Sequence, residues 1–148
     1  MTPIEVFFQY AGEFEKSYED NNWSRLYGFF HDDATYTIIG EPYDCCLTGP
    51  EAIFIGMQKS LDGMDRRFDT RAIALDGEFQ EQGDDMTVSW RVTYGKQGLS
   101  DFVLGGTSRM TVRNDKIAAL SDEFPEKSVR LMTDWMLEND FKIDPSYI

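Results

Sequence analysis

The sequence predicts an α+β fold: a cone-shaped, curved antiparallel or mixed sheet wrapped around three N-terminal helices, with one further helix at the C-terminus. Helical periodicity dominates residues 1–63, apart from one short strand-like segment, and strand alternation dominates residues 68–124. Helices followed by a run of strands are typical of α+β folds. At 148 residues the chain fits a single domain spanning 1–148, which is long enough to bury a core without disulfides or metals.

Three helices are predicted in the N-terminal part. Thr2-Pro3-Ile4-Glu5 has the pattern of a capping box, in which the two end residues satisfy each other's free backbone N–H groups, and the helix runs to about Glu19. The polar run 20–22 ends this helix and caps a short second one. A second capping box, Thr48-Gly49-Pro50-Glu51, begins a third helix that ends at Gly63.

Most of the remaining chain is predicted to be strands. The clearest is 86–94, in which apolar and polar residues alternate and indicate one buried face. Gly105-Gly106, inside the longest strand, predicts a sharp bend or bulge in a curved sheet. Residues 126–138 form the C-terminal helix. The predicted strands cover residues 36–39, 68–75, 86–94, 102–113 and 117–124, with a loop at 40–47 after the first.

Composition excludes several classes of partner. The net charge is −13, so a nucleic-acid backbone and an anionic membrane surface would both be repelled, and neither is an expected partner. The N-terminus lacks the basic start of a signal peptide, and no run approaches the roughly 18 apolar residues of a membrane span. We therefore expect a cytoplasmic protein.

Two groups of residues could carry chemistry by their type alone. Cys45 and Cys46 are adjacent, which strains a mutual disulfide, and their neighbours are acidic, so inert reduced thiols are predicted. The only histidine, His31, precedes Asp32 and Asp33. These three could be a metal or acid–base cluster, or the turn where a helix stops and a strand begins. The turn is favoured, and no metal site is predicted.

Four segments occur in the order of a known family between residues 4 and 124. They are a helix ending in Leu-Tyr-Gly-Phe-Phe, then His-Asp-Asp-Ala-Thr-Tyr, a helix start at Thr-Gly-Pro-Glu-Ala-Ile, and a late strand Ala-Leu-Ser-Asp-Glu-Phe. In these segments the chain resembles the nuclear transport factor 2-like superfamily and its SnoaL-like, polyketide cyclase-like branch. The resemblance implies the cone-shaped fold. It implies no single function, because this fold hosts isomerases, dehydratases, epoxide hydrolases and binding modules.

Two mechanisms of this superfamily lack their residues here. Its ketosteroid isomerases use a tyrosine on the first helix and an aspartate base at the end of the first strand, positions that align with Phe14 and Ile38. Its limonene-epoxide-hydrolase-like members use an Arg-x-Asp pair and a second aspartate on the last strand. In the alignment Arg91 matches the arginine of the pair, but Thr93 stands where its aspartate should be. Asp122 matches the second aspartate. Strand alternation also turns Arg91 outward, away from the cavity.

Asp122 is therefore the candidate catalytic residue. It has the strand parity of Leu120 and Phe124, which points it into the cavity. The resemblance implies that such a carboxylate removes a proton next to a carbonyl, and an apolar pocket raises a carboxyl pKa toward neutrality, as a general base needs. The alternative is a structural carboxylate that accepts hydrogen bonds from backbone or tyrosine hydroxyl groups.

Two functions remain open. One is a cofactor-independent acid/base enzyme, of cyclase, isomerase or dehydratase type, acting on an apolar carbonyl compound. The other is a non-catalytic module for small-molecule binding or dimerisation. In both, a small apolar molecule and a second copy of the chain are the expected partners, the copy meeting the outward row Ser89, Arg91, Thr93, Arg109, Thr111 and Arg113. The predicted pocket residues are Phe14, Tyr18, Trp23, Tyr27, Tyr36, Ile38, Phe54, Met57, Trp90, Phe102, Met110 and Phe124.

Overall fold

The computed structural model describes all 148 residues, Met1 to Ile148. The helices are α1 (Pro3–Asp20), a 3₁₀ helix (Ser24–Phe29), α2 (Pro50–Gly63), a second short 3₁₀ helix (Asp65–Arg67) and α3 (Glu126–Asn139). The strands are β1 (Phe30–Ile39), β2 (Cys45–Thr48), β3 (Thr70–Leu75), β4 (Gln80–Gln82), β5 (Asp85–Gly95), β6 (Phe102–Arg113) and β7 (Lys116–Glu123). The predicted α+β class is confirmed and the predicted elements occur in the predicted order, but β2, β4 and the second 3₁₀ helix were not predicted. None of the helices combines the length and the apolarity that crossing a membrane requires.

The seven strands form one mixed sheet in the order β2-β1-β7-β6-β5-β3, with β4 also paired to β5. Only β1 and β7 run parallel, and all other neighbours are antiparallel. The helix α1 packs on β5 and β6, α2 packs on β1, and α3 packs on β6. The buried rows of the strands face these helices, so the sheet and the helices enclose the interior between them.

The two predicted capping boxes differ in outcome. At α1 the box is confirmed: the Glu5 N–H donates to Thr2 Oγ1 at 3.2 Å, and the Thr2 N–H donates to the Glu5 carboxylate at 2.8 Å. At α2 the prediction is wrong, because Gly49 is the N-cap and no side chain caps the helix. Thr48 is instead the last residue of β2, where it pairs with Thr35, and the positive φ of Gly49 (86°) turns the chain from strand into helix.

The first strand begins six residues earlier than predicted, so His31, Asp32 and Asp33 lie in β1 and not in a turn. The pairing of β1 with β7 is irregular between Phe30 and Thr35, which accommodates this polar segment. The His31 ring contacts the Arg113 carbonyl oxygen, and the Arg113 guanidinium lies 3.3 Å from the Asp33 carboxylate. The predicted turn is therefore wrong, because these three residues continue the strand.

Two further predictions about the strands are wrong. The loop 40–47 is shorter, because β2 begins at Cys45 and pairs with β1. Of the bend or bulge predicted at Gly105-Gly106, no bulge forms toward β5, since the register of β5 and β6 is unbroken from Asp85↔Thr111 to Tyr94↔Phe102. The glycine at 106 has a packing role, described below with the site.

The chain after α3 has no regular structure, but it is firmly attached to α2. The Asp144 N–H donates to the Gly63 carbonyl oxygen at 3.0 Å, and the Ser60 hydroxyl donates to the Pro145 carbonyl oxygen at 2.7 Å. Ile143 is buried in the core beneath α3. These contacts carry Tyr147 back into the interior of the cone.

Candidate functional site

A cavity of about 580 Å³ lies between α1, α2 and the sheet, with a mostly apolar and aromatic wall. Residues that line the cavity and are also about half exposed mark its mouth. These are Phe8 on α1 and Ile73 and Leu75 on β3, with exposed fractions between 46% and 52%. The opening therefore lies between α1 and β3. A volume of this size suits a small organic ligand.

Three adjacent strands place a carboxylate in the wall of this cavity. Asp122 on β7 is opposite Ile38 on β1 and opposite Ser108 on β6. Strand alternation gives these residues the same inward direction, as the parity of Asp122 predicted. Asp122 lines the cavity together with Leu120 and Phe124.

Both oxygens of the Asp122 carboxylate accept hydrogen bonds from hydroxyl groups. The Tyr36 hydroxyl donates to one oxygen at 2.5 Å, and the Ser108 hydroxyl donates to the other at 2.6 Å. The Trp90 indole N–H donates to the Ser108 oxygen at 2.8 Å, which fixes the direction of the serine proton. The Tyr147 hydroxyl lies 3.5 Å from that of Tyr36. Because Tyr36 uses its single proton on Asp122, a hydrogen bond between the two phenols is donated by Tyr147 to the Tyr36 oxygen, and at 3.5 Å it is long enough to be exchanged for one to a ligand acceptor.

The surroundings of Asp122, Tyr36 and Tyr147 raise the pKa of all three side chains. Burial raises the pKa of Asp122, and the hydrogen bonds from Ser108 and Tyr36 only partly oppose that effect. No cationic side chain bonds this carboxylate. Burial, reinforced by the charge of Asp122, also raises the pKa of Tyr36 and of Tyr147, so both phenols hold their protons at neutral pH. The arrangement offers one proton acceptor and, beside it, a neutral hydrogen-bond donor.

Gly106 makes room for the tryptophan that supports this group. A Cβ atom at position 106 would lie 2.7 Å from two atoms of the Trp90 ring, which is too close for any side chain. Trp90 in turn packs edge-on against Phe124, with ring centroids 5.7 Å apart. The glycine therefore allows the indole to lie in the cavity wall with its N–H directed at Ser108.

A second polar group lies where α1, β3 and β5 meet. The Arg71 guanidinium donates from Nε to the buried Asp65 carboxylate at 2.8 Å and from Nη1 to Glu15 on α1 at 2.9 Å. The Tyr94 hydroxyl donates to the same Asp65 oxygen at 3.0 Å. The Arg71 guanidinium also lies over the Tyr18 ring, 4.6 Å from its centroid. Glu15, Asp65, Arg71 and Tyr94 all line the cavity.

The relationship to known proteins follows from a family model described as the SnoaL-like domain, which matches residues 12–120. The chain belongs to this family. The match covers most of the SnoaL-like protein, from the second half of α1 through α2 and the sheet up to Leu120. It confirms the resemblance to the SnoaL-like branch of the nuclear transport factor 2-like superfamily. No curated protein matches the sequence significantly.

Solved structures share the fold at low sequence identity. TerC, co-crystallised with polyporic acid, is 17% identical over 91% of this chain and 98% of its own, with a TM-score of 0.63. A hypothetical protein of ketosteroid isomerase-like fold from Catenulispora acidiphila, in complex with trimethylamine, is 18% identical over 95% of both chains, with a TM-score of 0.62. A protein of unknown function from Burkholderia pseudomallei is 16% identical over 86% of this chain and 98% of its own, with a TM-score of 0.63. These similarities show the fold.

The predicted pocket residues of the SnoaL-like protein divide into two sets of equal size. The residues that line the cavity are Phe14, Tyr36, Ile38, Met57, Trp90 and Phe124. The structure places the others in surrounding packing: Tyr18, Trp23, Tyr27, Phe54, Phe102 and Met110. Phe54 packs among Trp23 and Tyr27, and Phe102 packs between Tyr94 and Trp135. Four of the six, Trp23, Phe54, Phe102 and Met110, are buried in the core, whereas Tyr18 is partly buried and Tyr27 is 41% exposed.

The epoxide-hydrolase-like residues do not meet in the structure. Arg91 is exposed on the outer face of β5, as alternation predicted, and Asp122 lies inside. Sequence reasoning missed Ser108, Tyr147 and Arg71. Ser108 carries a usable signal, because it shares the inward parity of Met110 on β6. Tyr147 and Arg71 carry no periodic signal, since one lies in irregular chain and the other on an edge strand.

The two cysteines lie outside the cavity wall. Cys45 and Cys46 are free thiols on β2, and partial burial raises the pKa of the Cys45 thiol, which disfavours the reactive thiolate.

Replacing both cysteines by serine is expected to change the free energy of unfolding by no more than about 1 kcal/mol. Urea denaturation and ligand titration of the double variant check this. Loss of ligand binding or activity in that variant would make a thiol part of the site.

Proposed function

We propose that this protein is a cofactor-independent acid/base enzyme acting on an apolar carbonyl compound bound in the cavity. The observation that carries the proposal is a buried carboxylate, Asp122, in the wall of an apolar cavity, bonded by hydroxyl groups and by no cation. A carboxylate in such surroundings is a stronger base than one in water. TerC, a protein of similar fold, was co-crystallised with polyporic acid, and this supports the use of the cavity for a small organic molecule.

The proposed step is proton abstraction from carbon. One oxygen of Asp122 takes the proton from the carbon next to the ligand carbonyl, and the electrons of that C–H bond form the enolate. The negative charge that develops on the carbonyl oxygen needs a neutral donor. Tyr147 is the proposed donor, since its hydroxyl retains its proton and lies beside Tyr36 in the same wall. Return of the proton from Asp122, to the same or another carbon, completes an isomerase-type cycle.

A binding module is the second candidate, and one observation favours it. Each oxygen of Asp122 already accepts a hydrogen bond, so the carboxylate is satisfied by the protein alone. Such an arrangement is also what a structural carboxylate at the end of a sheet requires. In this case the cavity would hold its ligand without changing it.

Exchange of protons on carbon separates these two functions. The probe is 4-acetylbiphenyl, whose methyl protons lie next to its carbonyl, incubated with the protein in D₂O and followed by proton NMR. The enzyme proposal expects loss of the methyl signal faster than in buffer alone. Binding of the probe without accelerated exchange would contradict the proposed proton transfer and favour the binding module.

We also propose that the protein forms a homodimer through the outer face of its sheet. This face carries Arg91, Arg109 and Arg113 together with Val103, which is 47% exposed on β6. An open antiparallel face of this kind commonly packs against a second copy. Light scattering at micromolar concentration is expected to give twice the 17.1 kDa mass of one chain.

A pair of charge insertions sharpens the dimer prediction. Val103→Lys places a further cation among the arginines of the proposed interface and should give monomers, whereas Leu137→Lys, on exposed α3 and away from this face, should leave the dimer intact. A monomeric parent protein, or equal behaviour of the two variants, would contradict the proposed interface.

A further inference from the structure

The guanidinium of Arg71 has one nitrogen left for a ligand. Its Nε donates to Asp65 and its Nη1 to Glu15, while Nη2 donates to no protein group. No buried side-chain nitrogen or oxygen in the protein lacks a hydrogen-bond partner, so Nη2 is not sealed inside. Arg71 as a whole is largely buried, with 12% of its side chain exposed, and it lines the cavity.

The remaining contacts of Arg71 hold this nitrogen in place. The two carboxylates hold the guanidinium at two points, Asp65 at Nε and Glu15 at Nη1, and the Tyr18 ring supports its face. A donor whose position is fixed before binding loses little conformational freedom when a ligand arrives. The ion pair with Glu15 also joins α1 to β3, the two elements that flank the cavity mouth.

The charges around the cavity define what this nitrogen can recognise. The charged residues that line the cavity are three acids, Glu15, Asp65 and Asp122, and one base, Arg71. A ligand anion would meet an excess of negative charge, and a ligand cation would meet the open N–H groups of Arg71. A neutral oxygen acceptor, such as a carbonyl, fits both conditions.

The sheet register separates Arg71 from Asp122. Arg71 is opposite Tyr94 on β5, whereas Asp122 is opposite Ser108, which is opposite Val88 on β5. Val88 and Tyr94 are about 20 Å apart along that strand at the usual rise per residue. The length of the arginine side chain and the curvature of the sheet shorten this distance between the functional groups. A ligand that reaches both groups must still be longer than one ring.

We infer that Arg71 is a specificity-determining residue, which binds a second, neutral oxygen acceptor at the end of the ligand remote from Asp122. The inference rests on the proposed use of the cavity for a carbonyl compound. The preferred ligand is then elongated and carries a neutral acceptor at each end. Arg71 Nη2 donates a hydrogen bond to the acceptor that is remote from Asp122.

Two probes that differ by one acceptor test the inference. They are 4-acetylbiphenyl and 4,4′-diacetylbiphenyl, with affinities measured by isothermal titration calorimetry on the full chain. The diacetyl probe is expected to bind the parent protein about 10-fold more tightly, which corresponds to roughly 1.4 kcal/mol. Equal affinities would overturn the inference without any variant being made. Tighter binding of a third probe, with an aminomethyl group in place of one acetyl, would show that the outer site prefers a cation and would also overturn it.

A double variant then assigns the preference to Arg71. Asp65→Asn with Arg71→Met removes both charges of the buried pair, so no unpaired charge is left in the interior. In this variant the 10-fold preference should fall below about twofold; the ratio of the two affinities cancels any change in the cavity that affects both probes alike. A preference that survives would overturn the role of Arg71 alone. Proton exchange on the monoacetyl probe continues to test the proposed function separately, and failure of both probes to bind would overturn both proposals.

Discussion

Replacing Asp122 by asparagine is expected to slow proton exchange on a bound ketone by roughly 10²- to 10⁴-fold, the usual contribution of a positioned general base. The ligand should bind with nearly the same affinity, because the amide has the shape of the carboxylate. The asparagine carbonyl oxygen can accept from Ser108, and its amide can donate to the Tyr36 oxygen, so the hydrogen-bonding partners remain satisfied. NMR exchange rates and calorimetric affinities of the same preparations measure both quantities.

The direction of the Asp122 pKa shift fixes the pH dependence. Exchange by the parent protein should rise with pH through a pKa above the ordinary carboxyl value of about 3.9. The stability of the parent protein changes in the opposite direction and falls as the pH rises. A raised folded-state pKa means that ionisation costs the folded protein more than the unfolded chain. The parent should therefore lose stability relative to Asp122→Asn as the pH rises through that folded-state pKa, and the two should converge below about pH 3.9.

Asp85→Asn is the matched control for this variant. Asp85 also accepts a hydrogen bond from a hydroxyl on β6, from Thr111 at 2.6 Å, but it is exposed and lies outside the cavity wall. Its replacement should leave proton exchange unchanged. An Asp122→Asn protein that is destabilised by about 1–3 kcal/mol and still exchanges protons at the parent rate would end the role of Asp122 as base and leave it structural.

Replacing Gly63 by alanine is expected to destabilise the protein by about 2–3 kcal/mol, the upper part of the range for overpacking. A Cβ atom there would lie 2.0 Å from the Asp144 carbonyl oxygen, so backbone has to move. That movement breaks the bond from the Asp144 N–H to the Gly63 oxygen and displaces the segment that carries Tyr147. Urea denaturation measures the loss of stability. Proton exchange should also fall, because the proposed oxyanion donor leaves its position.

Gly12→Ala provides the control for a helical glycine. Gly12 is exposed in α1, and a Cβ atom there has nothing within 4 Å. Alanine should stabilise the helix by up to about 1 kcal/mol and leave exchange unchanged. Parent-like stability of Gly63→Ala would show that the segment after α3 moves aside without cost, and parent-like exchange would remove Tyr147 from the proposed step.

The sequence predicts the strands that form the site better than it predicts which side chains line the cavity. Asp122 is found because alternation holds from Leu120 to Phe124, after the register shift near the start of β7, and Arg91 is excluded because alternation holds in β5. The division of the aromatic residues between wall and core could not be predicted, because it depends on how α1 and α2 sit on the sheet. Phe54 and Met57 lie on one face of the same helix, yet only Met57 reaches the cavity. Helical spacing alone does not distinguish them.

The residues that escaped prediction share a physical cause. Tyr147 reaches the site through hydrogen bonds of an irregular segment to Ser60 and Gly63, and such bonds leave no repeating pattern in the sequence. Arg71 lies on β3, a strand with mostly exposed residues, where a cation is ordinarily read as solvated. The beginning of β1 was missed because His31 and two aspartates resemble a turn, whereas an irregularity in the β1–β7 pairing lets them continue the strand.

The parallel pairing of β1 with β7 has a consequence for folding kinetics. Ile38 and Asp122 are direct neighbours in the sheet but distant in the chain, so their pairing must close a loop that contains most of the protein. Closing a long loop costs conformational entropy, and proteins whose contacts are mostly between residues distant in sequence fold slowly. On the ribosome the proposed base cannot reach its partner strand until nearly the whole chain has emerged. Nascent chains shorter than this would therefore expose the apolar inner row of β1, and that row is where we expect a chaperone to bind during synthesis.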